Sequence, residues 1–491
     1  MKILLVSPRT PITFWSFKHV LQFVAKKAAF PPLGLITVAA MLPPDWELKL
    51  IDLNVDRLED SDLRWADYVL ISAMIVHQES VREIAGRCSA LGKNIVAGGP
   101  LFTTGHEAFP EIPHFVLGEA EEVMPQLVAD LRARTPQRVY RAPGFPGLGQ
   151  TPIPRYDLLR LRNYVTMAAQ FSRGCPYDCE FCDIIVMNGR VPRTKAPEQF
   201  VAELEALRRL GWKDMVFVVD DNFIGNKART KALLLAMIEW RERTRPQMGF
   251  LTEASINLAD DAELRRLMAA AGFRKVFVGI ETPSAAALEE CRKFQNTGRD
   301  LVSAVQVLQK SGLEVMGGFI VGFDSDTGDI FRQQFEFIQR SGVATAMVGL
   351  LTALPQTRLY HRLKREGRLI TETSGDNTAT GALNFRPKLD REYLENGYRE
   401  LMRRLYEPRN YYRRIRMFLK NYRGRSDRLR ISMSDVEAFL KSFWLLGVWD
   451  RGRWAYWWFF LGTLFRRPRQ FRVAIELAII GHHFRLVAAA L

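Results

Sequence analysis

Short, uninterrupted apolar runs recurring at regular intervals are the strongest constraint on how this chain folds. Residues 1–8 (MKILLVSP), 46–54 (WELKLIDLN), 66–74, 93–100 and 114–122 each read as a strand. A Pro-opened helical pattern occupies 31–43, and helical stretches separate most of the other runs. Strands apolar along their whole length need cover on both faces, and strands alternating with helices pair in parallel, so residues 1–140 are predicted to form a doubly wound, Rossmann-like α/β domain. Such sheets bind ligands at the carboxyl ends of their strands. Those ends read SPRTP, DLN, SAM, AGGP and LGEAE, and Gly98-Gly99 would let backbone approach a flat ligand closely.

The Pro/Gly-rich stretch RAPGFPGLGQTPIPRYD opens a linker over 141–163. The alternation then restarts and runs through 164–385 as about six βα units, enough for a partial or full barrel. Its strand ends carry Asp220, Asp221 and Asn222, then Glu253, then Glu281, and a later strand passes through Gly317 and Gly318. Each carboxylate also has a plain alternative as a solvated strand end or a salt bridge of the barrel.

At 491 residues the chain is too long for one ordinary core. The net charge of +15 is not spread evenly: residues 391–491 hold 21 Lys+Arg against 9 Asp+Glu, which is +12 of the total. The basic character therefore belongs to a helical, Trp-rich extension over 386–491, which argues against a nucleic-acid groove along the whole protein. Five of the ten tryptophans, Trp444, Trp449, Trp454, Trp457 and Trp458, fall in that extension beside RRPR. Trp at headgroup level and Arg toward anionic lipid would suit a peripheral membrane contact; a helical cap with its aromatics buried is the alternative. The apolar run 454–465 is too short to span a bilayer. The start has no signal-peptide pattern, so a reducing cytoplasm, with contact at the inner face of the membrane, is expected.

Three of the five cysteines, Cys175, Cys179 and Cys182, lie in FSRGCPYDCEFCDI with C-x3-C-x2-C spacing; Cys88 and Cys291 stand alone and read as ordinary thiols. A closed zinc site wants four ligands, and no second CxxC or HxxxH exists to complete one. Three thiolates can instead hold three irons of a 4Fe–4S cluster and leave the fourth iron open.

With that spacing and Phe181 before the last cysteine, CPYDCEFC resembles the signature of radical S-adenosylmethionine enzymes. The resemblance implies that S-adenosylmethionine chelates the open iron and is cleaved to a 5′-deoxyadenosyl radical, with electrons from an external flavodoxin- or ferredoxin-type donor. It assigns cofactor contacts to Phe181, to Asp220-Asp221-Asn222, to Glu253 and Glu281 near the ribose, and to Gly317 and Gly318 near the adenine.

A doubly wound domain directly before such a barrel resembles the cobalamin-binding module of that superfamily. Ser72 and Met74 match its Ser-x-Leu segment with Met in place of Leu, Gly98-Gly99 match its Gly-Gly segment, and Gly118 and Glu119 sit at the next strand end. The loop after the first strand, SPRTPITFWSF, lacks the module's usual histidine; His19 lies beyond it, so no axial imidazole is expected from that place. FPPLGL, VDDNFIGN, VFVGIETP, LLTALPQTRLY, YEPR, GVWDRGRWAYWWFFLG and IIGHHF extend the resemblance to the subfamily containing the hopanoid C-2 methylases. It implies a cobalamin-dependent methyltransferase acting on an unactivated carbon of a small, apolar or lipid substrate. Two rivals stand beside it: a non-methylating radical reaction such as cyclisation or carbon–carbon coupling, and a non-catalytic iron–sulfur protein at the membrane. No catalytic residue beyond the cluster ligands is assigned.

Overall fold

The computed structural model describes residues 1–379, 381–424 and 433–491. Its first sheet has six parallel strands: β1 (Lys2–Ser7), β2 (Glu47–Asp52), β3 (Tyr68–Ser72), β4 (Asn94–Gly98), β5 (His114–Leu117) and β6 (Val139–Arg141), in the order β2-β1-β3-β4-β5-β6. The first five correspond to the apolar runs. β6 is the addition: at three residues, after a polar stretch, it is too short to leave a pattern. Ile3, Leu4, Leu5 and Val6 are all fully buried, because helices cover both faces of the sheet.

The second sheet is also parallel. β7 (Met167–Ala169) is followed by a two-stranded ribbon, β8 (Ser172–Arg173) with β9 (Arg193–Thr194), whose connection contains the cysteine loop. Then come β10 (Met215–Val218), β11 (Gly249–Glu253), β12 (Phe273–Glu281), β13 (Glu314–Val321) and β14 (Ala346–Leu350), ordered β14-β13-β12-β11-β10-β7. This is an open, partial barrel with edges at β7 and β14. Val216, Phe250, Val276 and Val315 point outward and are buried under helices. Phe217, Leu251, Phe277 and Met316 alternate with them and face the lumen.

The gap between the edges is filled from both ends of the chain. Residues 27–29 run beside the approach to β7, where Lys27 and Ala28 donate to the Asn163 carbonyl and Val165 donates to that of Ala28. On the other side Tyr406 and Tyr398, from the helix Arg391–Tyr406, donate their hydroxyls to the Ala346 and Val348 carbonyls of β14. Between these lies the last helix, Phe471–Ala490. Phe484 on it stacks on Phe14 at 4.1 Å, Tyr411 donates to its Leu477 carbonyl, and Glu476 pairs with Lys275 of β12 at 2.5 Å. This helix is long and apolar enough to cross a membrane, but half of its most apolar window is buried against the rest of the protein.

The extension is helical, as Met433–Trp444, Arg453–Arg466 and Phe471–Ala490, and its aromatics divide by side. Tyr456, Phe459 and Phe460 point inward. Trp444, Trp449, Trp454, Trp458 and Phe465 point out, the last four being 74–78 % exposed.

Candidate active site

The cysteine loop hangs from β8 and is gripped on several sides. The Cys175 amide donates to the Gly189 carbonyl, and the Glu180 amide to that of Cys291. The side chains between the cysteines point to the helix Arg358–Arg365: Asp178 takes Arg358 at 2.9 Å and Glu180 takes Arg362 at 2.7 Å. Asp178 and Glu180 are therefore neutralised locally, which keeps their charge off the thiols.

Behind the loop, the end of β10 supports it. Asp220 accepts from the Phe171 amide and the Ser172 hydroxyl, at 2.8 and 2.6 Å. Asp221 accepts from the Gly174 amide and from Asn188, at 2.7 and 2.9 Å. Asn222 directs its amide nitrogen at the Cys175 sulfur and also meets Ser255. Two further groups face the thiols and left no local signature in sequence. Gln295 brings its amide nitrogen to 3.7 Å from the Cys179 sulfur. The Lys293 ammonium lies 6.0 Å from the Phe181 ring centroid and 2.7 Å from Glu281. Burial opposes the Lys293 charge, but Glu281 and the neighbouring thiols outweigh it and hold the ammonium firmly charged. Burial pushes the Cys175 and Cys182 thiols up, so their anions need a positive partner.

A single continuous cavity of about 2290 Å³ runs from the first sheet through the barrel lumen. Ordinary small-molecule pockets hold about 300–1,000 Å³. All six residues assigned to the corrin, Ser72, Met74, Gly98, Gly99, Gly118 and Glu119, line it. Gly99 is at φ +95°, where a Cβ would lie 2.9 Å from the Ala73 carbonyl oxygen, so the floor here is bare backbone. Asp221 and Glu253 also line the cavity. The Glu253 carboxyl makes no hydrogen bond to another described residue; burial, with Asp221 and Asp220 beside it, pushes its pKa up to about 8. Phe181, Asp220, Asn222, Glu281, Gly317 and Gly318 are not among the lining residues. Asp220 faces back into the protein, with burial pushing its pKa up to about 7. Glu281 faces Lys293. Gly318 leaves room for the Phe277 ring, which a Cβ would meet at 2.8 Å, and Gly317 does the same for Phe319 and Val343.

The two halves of the cavity are tied by an ion cluster. Arg173, two residues before Cys175, bridges Glu119 at 2.6 Å and Glu121 at 2.8 Å, and Arg193 adds a second contact to Glu119 at 2.5 Å. Glu119 thus lines the cavity while holding β8 and β9 against the first sheet.

The donor set fits the groups the sequence implies. Among the described residues no three His, Cys, Asp or Glu side chains converge on a single ion. Thiols spaced along one loop suit a cubane, where each thiolate takes its own iron. Two side-chain amides directed at the sulfurs, with one ammonium nearby, suit an anionic cluster. The bare glycine floor suits a flat macrocycle, and no histidine is among the described lining residues. His77, near Met74, is occupied on both ring nitrogens by the Met74 amide and the Thr10 hydroxyl.

Three family models match successive parts of the chain. Residues 25–128 match the B12 binding domain family, 169–338 the Radical SAM superfamily, and 357–491 a domain of unknown function. The chain is 41 % identical to an uncharacterized methyltransferase of Synechocystis sp. over 99 % of its own length and 91 % of that protein's. It is 32 % identical to the hopanoid C-2 methylase of Rhodopseudomonas palustris, covering 99 % and 93 %. Among solved structures it resembles the cobalamin-dependent S-adenosylmethionine radical enzyme OxsB, with TM-score 0.63, 14 % identity and coverage of 100 % and 79 %. It also resembles the radical S-adenosylmethionine methyltransferase TsrM of Kitasatospora setae, with TM-score 0.59, 18 % identity and coverage of 76 % and 77 %. At these identities the two structures speak for the fold.

Proposed function

Because the chain belongs to the cobalamin-dependent radical S-adenosylmethionine methyltransferases, we propose that it methylates an unactivated carbon of an elongated, apolar substrate of lipid type. The observation that carries the substrate class is the lumen lining: Phe217, Leu251, Phe277 and Met316 line the same cavity as Phe439, Ile475 and Ile479. A polar small molecule would leave most of this wall against water.

The enzyme uses a 4Fe–4S cluster, S-adenosylmethionine and cobalamin. When bound, these groups supply radical generation and methyl transfer. The protein's part is positional. Cys175, Cys179 and Cys182 would hold the cluster, with Asn222, Gln295 and Lys293 facing its sulfurs. Asp221 and Glu253 present carboxyl groups to the cavity at the cluster end, where S-adenosylmethionine hydroxyl and ammonium groups would find acceptors. Ser72, Gly98, Gly99 and Gly118 would cradle the corrin. Arg173 and Arg193 hold the two sides of the cavity in fixed relation, and the last helix keeps water from the reacting carbon.

The outward tryptophans, with Arg451 and Arg453 between them in sequence and Arg466 after them, support a peripheral contact with anionic lipid. An acidic flavodoxin- or ferredoxin-type protein would serve as the outside electron source. The test is lipid profiling of a deletion strain together with methyl-labelled S-adenosylmethionine and purified enzyme. Loss of a methylated lipid, and label in the organic extract, is expected; label confined to water-soluble product would overturn the substrate class. After anaerobic reconstitution, Cys175→Ala, Cys179→Ala and Cys182→Ala should each abolish 5′-deoxyadenosine formation, whereas Cys88→Ala should not.

A further inference from the structure

The charges lining the cavity are sorted by end. Near the carboxyl ends of the strands the lining has six carboxylates, including Asp221 and Glu253, and one cation, Arg173. Near the amino ends it has ten Lys or Arg residues and three carboxylates. Two of those three, Glu314 and Glu476, are both engaged by Lys275, at 3.2 and 2.5 Å. Arg266, Arg423 and Arg469 have no carboxylate partner among the described residues. The lumen between these ends is apolar and, by the rise of β12 from Lys275 to Glu281, about 20 Å long.

We propose that the amino-end mouth of the barrel binds the anionic head, a phosphate or carboxylate, of an elongated amphiphile whose apolar body lies along the lumen. The inference rests on the apolar-substrate reading and deepens it. A mouth lined mostly by one sign of charge between low-dielectric walls concentrates the field on an entering anion. Guanidinium groups match phosphate and carboxylate oxygens in pairs. The same field disfavours a cationic head. The opposite, acidic end disfavours an inverted pose, so the head also sets which end of the substrate reaches the cluster.

The experiment is equilibrium dialysis of the full-length chain, at low salt, with radiolabelled hexadecyl phosphate, palmitate, hexadecanol and hexadecyltrimethylammonium. The phosphate or the carboxylate, or both, should bind at least tenfold tighter than the alcohol and the ammonium. The triple variant Arg266→Gln/Arg423→Gln/Arg469→Gln should remove that preference and leave hexadecanol binding unchanged. The surface variant Trp449→Ala/Trp454→Ala/Trp458→Ala should keep it. Equal binding of all four amphiphiles overturns the head site while leaving the apolar lumen standing. A preference that survives the arginine variant, or disappears with the tryptophan variant, overturns it by moving the preference to the outer face. If none of the four binds, the apolar-substrate reading itself fails.

Discussion

Asn222 brings its side-chain nitrogen to 3.9 Å from the Cys175 sulfur while its oxygen accepts from the Ser255 amide at 3.2 Å. Gln295 likewise brings its side-chain nitrogen to 3.7 Å from the Cys179 sulfur. Donors directed at a cluster sulfur favour the reduced, more negative state. Asn222→Ala and Gln295→Ala should therefore each lower the cluster potential by about 20–60 mV, the equivalent of one hydrogen bond in a one-electron couple. An anaerobic redox titration followed by electron paramagnetic resonance reads the shift. An unchanged potential in both variants would leave the amides a packing role only.

Arg173 is the hinge pin of the second relationship. Glu119 and Glu121 have side chains only 7 % and 6 % exposed, and Arg173 serves both. Arg173→Met leaves two buried carboxylates sharing what Arg193 can offer, which should cost about 3 kcal/mol. Arg173→Lys should cost less, keeping the charge but losing the fork. Denaturant midpoints measure the stability, and cobalamin titration should show weakened binding in the Met variant because Glu119 lines the cavity.

The Glu253 carboxyl gives a pH signature. Its pKa of about 8 lies above the ordinary 4.5, so folding favours the neutral form. The stability that this group contributes is fully present below about pH 4.5 and is lost as pH rises through about 8. Ligand-free Glu253→Gln should lose less stability than the wild type between pH 5 and pH 8.5. The gain at pH 8.5 should be on the order of 1 kcal/mol, discounted because the carboxyl faces cavity water. Thermal melts across this range decide it; a Gln variant that melts lower at pH 8.5 would contradict the assignment.

The outer tryptophans should govern lipid binding without touching the core. Trp449→Ala/Trp454→Ala/Trp458→Ala should reduce co-sedimentation with vesicles containing anionic lipid several-fold while the melting temperature stays within a few degrees. Vesicle binding that persists unchanged would remove the membrane assignment.

Much of this was legible in sequence where the chemistry is local. The cysteine spacing, the strand-end carboxylates and the glycine pairs are short-range patterns, and the six residues assigned to the corrin do line one cavity. Spacing could not say which way each strand-end side chain turns. Asp220 and Asp221 are neighbours, yet one faces the protein and the other lines the cavity, because the chain leaves β10 at Val218 and enters a turn at Asp221. The contacts of Arg173, Lys275 and Gln295 were invisible for a different reason. Their partners are 54, 201 and 116 residues away, and no periodicity reports such a pairing. The tryptophan stretch is aromatic on all sides, so only the fold sorts Tyr456 and Phe459 inward from Trp454 and Trp458 outward.

Phe14 and Phe484 stack across the barrel's open side, so the seal of the chamber is a clasp between the two extremes of the sequence. Such a contact joins residues about 470 positions apart, and its loop closure must be met before it gives any return. During synthesis the sheets can form while the clasp is still missing. The lumen therefore stays open on its flank until the helix Phe471–Ala490 has met the segment around Phe14. The closure that excludes water from the radical chemistry thus depends on the meeting of two distant segments, and a slow, late-closing phase in refolding should be its kinetic trace.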